Sequence, residues 1–89
     1  MELDTRPVDV ICLCDAEGTI RPLRLRMEIE DREWVRVDIE EILDSKSSNC
    51  YGAESMWFLC RTRISGRARV VEIKYSVRNH CWSILYRKK

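Results

Sequence analysis

A chain of 89 residues, 45% hydrophobic and 35% charged with only three Gly and two Pro, has room for one domain around one core. That balance excludes a disordered or low-complexity chain. The longest apolar run, Val10, Ile11, Cys12, Leu13 and Cys14, is far short of the roughly 20 residues a membrane helix needs. Residues 1–7 are charged and hold no signal-peptide apolar region. The reading is a single soluble domain over 1–89, cytoplasmic, with no membrane partner. Five cysteines cannot all pair internally, and reduced thiols in a cytosol are the simplest state for them. Net charge is +1 but unevenly laid out: residues 1–44 carry thirteen acids against six bases, residues 45–89 two acids against ten bases. Either the halves neutralise each other across the fold, or a basic side faces an anion.

Period-two alternation dominates the chain. After an N-terminal tail (1–7), residues 8–14 are apolar apart from Asp9, which predicts a strand covered on both faces. Asp15, Ala16, Glu17 and Gly18 supply turn chemistry. Leu23, Leu25, Met27 and Ile29 then alternate with Arg24, Arg26, Glu28 and Glu30, a strand with one wet face. Pro22 cannot donate to a ladder, so this strand begins at an edge or a bulge. A polar connection, 30–33, leads to a third strand with Val35, Val37 and Ile39 on its inner face. At 39–43 the alternation breaks, and a single helical turn or a bulge would both account for it. Residues 44–55 are small and polar and read as a flexible loop.

The clearest hairpin follows: 56–64, the pair Ser65–Gly66, then 67–77. Met56, Phe58, Cys60, Thr62 and Ile64 form its inward set, with Val71, Ile73, Tyr75 and Val77 opposite. Arg78, Asn79 and His80 turn the chain into a last strand, 81–86, before a basic tail, 87–89. Six or seven short strands joined by tight turns predict a mainly β fold, a small antiparallel barrel or strongly curled sheet of SH3-like or OB-like kind, with at most one short helical turn.

The order Gly18, Arg21-Pro22-Leu23-Arg24-Leu25-Arg26, Trp34-Val35-Arg36-Val37-Asp38-Ile39, a basic hairpin and a terminal Trp82 resembles small β-rich proteins of Gram-positive bacteria. The resemblance spans residues 17–86 and lies in strand pattern. That group has no assigned activity, so the resemblance implies a fold and no functional residue.

No constellation points to catalysis. The single histidine, His80, adjoins Cys81, and neighbours on a strand face opposite ways. No P-loop, G-x-G-x-x-G or G-x-S-x-G occurs. Cys12, Cys14, Cys50, Cys60, His80 and Cys81 include no C-x-x-C, so neither a metal nor another cofactor is expected. Two classes of binding remain. Trp57, Arg61 and Arg63 on one outward face, with Lys74 on the partner strand and Arg67 and Arg69 at the hairpin tip, form a candidate nucleic-acid surface of stacking and phosphate contacts. Against it stand the near-zero net charge and the ordinary alternative of a solvated strand face. The apolar first strand and the outward Trp57 and Leu59 suit a protein interface instead, including a homodimer. The sequence ranks neither above the other.

Overall fold

A computed structural model describes residues 3–28, 32–50 and 52–87. Six strands account for nearly all of it: β1 (Leu3–Cys14), β2 (Ile20–Glu28), β3 (Trp34–Cys50), β4 (Ala53–Ile64), β5 (Arg67–Ser76) and β6 (Cys81–Arg87). Each pairs antiparallel with its neighbours in sequence, and β6 pairs with β1, closing an up-and-down barrel. No described residue is helical.

The turns follow from their residues. Ser65 and Gly66 both have positive φ, 50° and 81°, the twist of a primed two-residue hairpin turn, and Ile64 pairs with Arg67 across it. At the β1–β2 turn the Asp15 carboxylate accepts hydrogen bonds from the Glu17 and Thr19 amides at 2.9 and 3.0 Å, while Gly18 supplies a φ of 87°.

The barrel is filled by the predicted alternation. Val8, Leu25, Met27, Val37, Phe58, Cys60, Val71, Ile73 and Ile84 are buried, and Val10, Ile39, Ile42, Met56, Ile64 and Trp82 pack against them. The one buried polar side chain among the described residues, Thr62, donates to the Arg69 carbonyl at 2.8 Å and so carries no desolvation debt. Trp82 closes the top of the core, its ring 4.7 Å from Tyr75 and 6.0 Å from Phe58.

Several expectations need correction. Residues 3–7 are not a tail: they pair with β6 as the first half of β1. Arg87 ends β6, and residues 88–89 of the expected basic tail lie outside the described residues. The stretch 39–43 is strand carrying irregularities at 39/41 and 42/44 rather than a helical turn. Residues 44–55 are not a loop: 44–50 complete β3 and 53–55 open β4, paired residue for residue down to Cys50 opposite Ala53. Backbone pairing with a well-seated neighbour overrides weak local strand preference. In β2, Leu23 does not join Leu25 and Met27 in the core. Ile11 pairs with Arg24 and Cys12 with Pro22, so Leu23 falls in the bulge and the buried position passes to Pro22. Ile29 lies outside the described residues. Finally, β1 is not covered on both faces: Val8 is buried, but Ile11, Cys12, Leu13 and Cys14 are exposed.

Candidate functional site

On the outer face of β3, β4 and β5 the register sets Lys46, Trp57 and Lys74 in one row. Both ammonium groups lie over the Trp57 ring, 5.8 and 5.1 Å from its centroid, each a cation–π contact worth about 0.5–1 kcal/mol where water has access. The next row holds Asp44, Leu59 and Glu72. Lys46 and Trp57 of the first row, the three residues of the second and Ser45 line a shallow recess of about 140 Å³. Lys46 is the member that reading residues 44–55 as a loop conceals. The signal for it is Gly52 at the centre of two arms of matching length.

The arginines of the predicted surface are distributed differently. Arg61 is ion-paired with Glu41, and Arg63 with Glu40 at 2.9 Å while also donating to the Gly66 carbonyl at 3.1 Å. Glu40 and Glu41 come from the acidic half of the chain, so part of the charge asymmetry cancels across the β3–β4 seam. The rest of the described ion pairs, Asp9 with Arg26 and Asp38 with Arg24 and Arg36, stay within the acidic half. Arg69 pairs with Thr62 and Arg67 with Ile64. Cross-strand partners share a face, so these two arginines have the parity of the barrel interior and emerge at its lower end. Of the six predicted residues, only Trp57 and Lys74 form a cluster.

The thiols and the imidazole are engaged locally. Cys60 is fully buried, and loss of water pushes its thiol from 9.0 to about 11, away from the thiolate that nucleophilic chemistry requires. Tyr75 Oη lies 3.0 Å from His80 Nδ1, and Cys81 donates to the Asn79 carbonyl. Cys12, Cys14 and Cys81 are free and exposed. No group of three metal-type ligands occurs among the described residues, and the side chain of Cys50 lies outside them.

A different surface stands out at the top of the barrel. Val8 is the last residue of β1 paired with β6, so residues 9–14 pair on one side only, with β2. Residues 20–23 of β2 likewise lack a β3 partner, because β2–β3 pairing begins at Arg24. The two segments form a projecting ribbon on which Ile11, Leu13 and Leu23 are 59, 40 and 44% exposed. Alternation puts Ile11 and Leu13 on the outer face, and Cys12 and Cys14 on the face that holds Val10.

Among the described residues several stretches of strand pair on one side only, and all but one are blunted. Residues 3–8 of β1, open on the β2 side, carry Arg6 and Pro7, and residues 34–36 of β3, open on the β4 side, carry Arg36. Residues 20–23 of β2 carry Pro22, a bulge and Arg21. Residues 39–50 of β3 carry two irregularities together with Glu40, Glu41, Asp44 and Lys46. Residues 67–71 of β5 carry Arg67 and Arg69. Charge, proline and bulges are the usual protections against strand addition. Residues 10–14 of β1 have neither charge nor proline, and the irregularity opposite Ile11 and Cys12 places its extra residue, Leu23, in β2.

No family model, no curated protein and no solved structure matches this chain. No described helix is long and apolar enough to cross a membrane.

Proposed function

We propose that the chain is a small non-enzymatic binding module that takes a protein partner by strand addition along the open edge of β1. The observation that carries this reading is the contrast among the open edges: of the described residues, only 10–14 of β1 offer unpaired backbone beside exposed apolar side chains and no charge. Main-chain hydrogen bonds would supply affinity there, and Ile11 and Leu13 the apolar contact. Engagement of His80 by Tyr75 and the raised pKa of Cys60 support binding over catalysis. Exposed free thiols suit a reducing compartment such as the cytoplasm.

A display library of short strand-forming peptides, panned against the wild-type chain and counter-selected on Ile11→Lys, tests the proposal. Peptides of alternating apolar pattern that lose binding to Ile11→Lys are expected. Enrichment indifferent to Ile11→Lys, or no enrichment, would contradict the reading.

One observation favours nucleic-acid binding as a second reading: Lys46 and Lys74, in no ion pair among the described residues, flank Trp57. Its surface is Trp57, Lys46 and Lys74, with Arg61 and Arg63 committed to Glu41 and Glu40. Fluorescence anisotropy with single-stranded DNA and RNA at low salt decides it. If a base stacks there, Trp57→Ala loses ~1–3 kcal/mol and leaves the salt slope unchanged.

A further inference from the structure

Resting on the strand-addition reading, we infer that the partner at the β1 edge is a second copy of this chain, joined by two-fold antiparallel pairing of residues 10–14. An antiparallel edge is its own complement: a two-fold axis normal to the sheet sets the same backbone donors and acceptors against each other in both directions. Charge favours the same occupant. Residues 10–14 bear no charge; when the two segments overlap fully, Asp9 of one copy comes opposite Asp15 of the other, but Asp9 is held by Arg26 at 2.9 Å and the Asp15 carboxylate accepts the Glu17 and Thr19 amides. A charged partner strand would find no counter-charge on this edge.

Full overlap of the neutral segment fixes the register. Its centre is Cys12, so Cys12 faces Cys12 of the copy, Ile11 faces Leu13, and Val10 faces Cys14. On the outer face the four side chains of Ile11 and Leu13 then cover one another, which accounts for two apolar residues left in water on the single chain. Five residues of one strand make a small seam by the standard of obligate dimers, so the association is expected to depend on concentration. Paired Cα atoms in such a ladder stand about 4.5–5.5 Å apart, within reach of a disulfide, so Cys12 can report the register.

Sedimentation equilibrium of the reduced protein across a concentration series is the first test. The mass is expected to rise toward twice that of the chain, and Ile11→Lys and Leu13→Lys should each weaken association at least tenfold. Both sites are exposed, and an unchanged circular dichroism spectrum certifies the fold of each variant. Diamide treatment of a Cys14→Ser, Cys50→Ser, Cys81→Ser background, which keeps Cys12 and the buried Cys60, should yield a cross-linked dimer that Cys12→Ser abolishes. In that reaction two Cys12 thiols give up their hydrogens to diamide and form one S–S bond. A chain that stays monomeric at the highest concentration, or a dimer unaffected by Ile11→Lys and Leu13→Lys, overturns the inference. Monomers that still bind display peptides in an Ile11-dependent way would overturn the copy as occupant while leaving the strand-addition reading intact. A dimer without Cys12 cross-linking would overturn the register.

Discussion

The β3–β4–β5 wall and the β1–β2 ribbon are both two-faced sheet, yet they treat their outer surfaces in opposite ways. On the outer face of the wall, four cations have a neighbour of matching chemistry: Arg61 with Glu41, Arg63 with Glu40, Lys46 and Lys74 with Trp57. Its free edge on β3 is bent by two irregularities and lined with acids. On the ribbon, Ile11, Leu13 and Leu23 face water, and the β1 edge carries no blocking residue. The wall exposes apolar side chains too, Val70 at 58% and Leu43 at 43%, but its open edges are charged and these outward cations are matched within one chain. The ribbon looks like half of an interface, and a count of basic residues would have directed attention to the wall.

The largest test of that contrast is thermodynamic. Ile73 is fully buried and Ile11 largely exposed, so Ile73→Ala should cost ~2–5 kcal/mol in urea unfolding and Ile11→Ala under ~0.5 kcal/mol for the monomer. Similar costs at the two sites would mean that the ribbon is packed after all.

The thiols sharpen the comparison next. Cys60 has its folded pKa raised from 9.0 to about 11, so its neutral form stabilises the fold fully below pH 9. That contribution declines as the pH rises through the window up to about 11, because the unfolded chain then ionises its thiol more readily. Urea midpoints should therefore fall faster across this range in wild type than in Cys60→Val. A thiol reagent at neutral pH should label Cys12, Cys14 and Cys81 at once and Cys60 only on unfolding. Equal labelling of Cys60 and Cys12 would remove the distinction between core and ribbon.

The smallest effect belongs to the ion pairs of the wall. Arg61, Glu41 and Arg63 are about half exposed and Glu40 about a third, and a double-mutant cycle on either pair should give less than ~1 kcal/mol, decreasing with salt.

Much of this architecture was legible from period-two patterning. The inward set Phe58, Cys60 and Thr62, the return of Val71 and Ile73, and the Ser65–Gly66 turn are direct consequences of alternation and turn chemistry. What alternation could not supply was stagger. In a closed barrel each strand meets its two neighbours along different parts of its length, so β3 pairs with β2 only through Asp38 while it follows β4 to Cys50. Residues 44–50 are polar because they lie beyond the core, and polarity alone made them resemble a loop. Residues 10–14 are apolar for another reason, and their hydrophobicity suggested burial where pairing ends. The arginines of the basic hairpin were identifiable as outward at positions 61 and 63. Their acidic partners sit some twenty residues away, on a strand whose register depends on two irregularities.

Amide hydrogen exchange across residues 10–14, measured at low and high protein concentration, tests the role of the β1 edge most directly. In dilute solution the amides facing β2 should be protected and the alternate, outward-facing ones should exchange rapidly. Raising the concentration should slow those alternate amides selectively, and Ile11→Lys should abolish the slowing. Rapid exchange at every concentration, or full protection already in dilute monomer, would contradict the account.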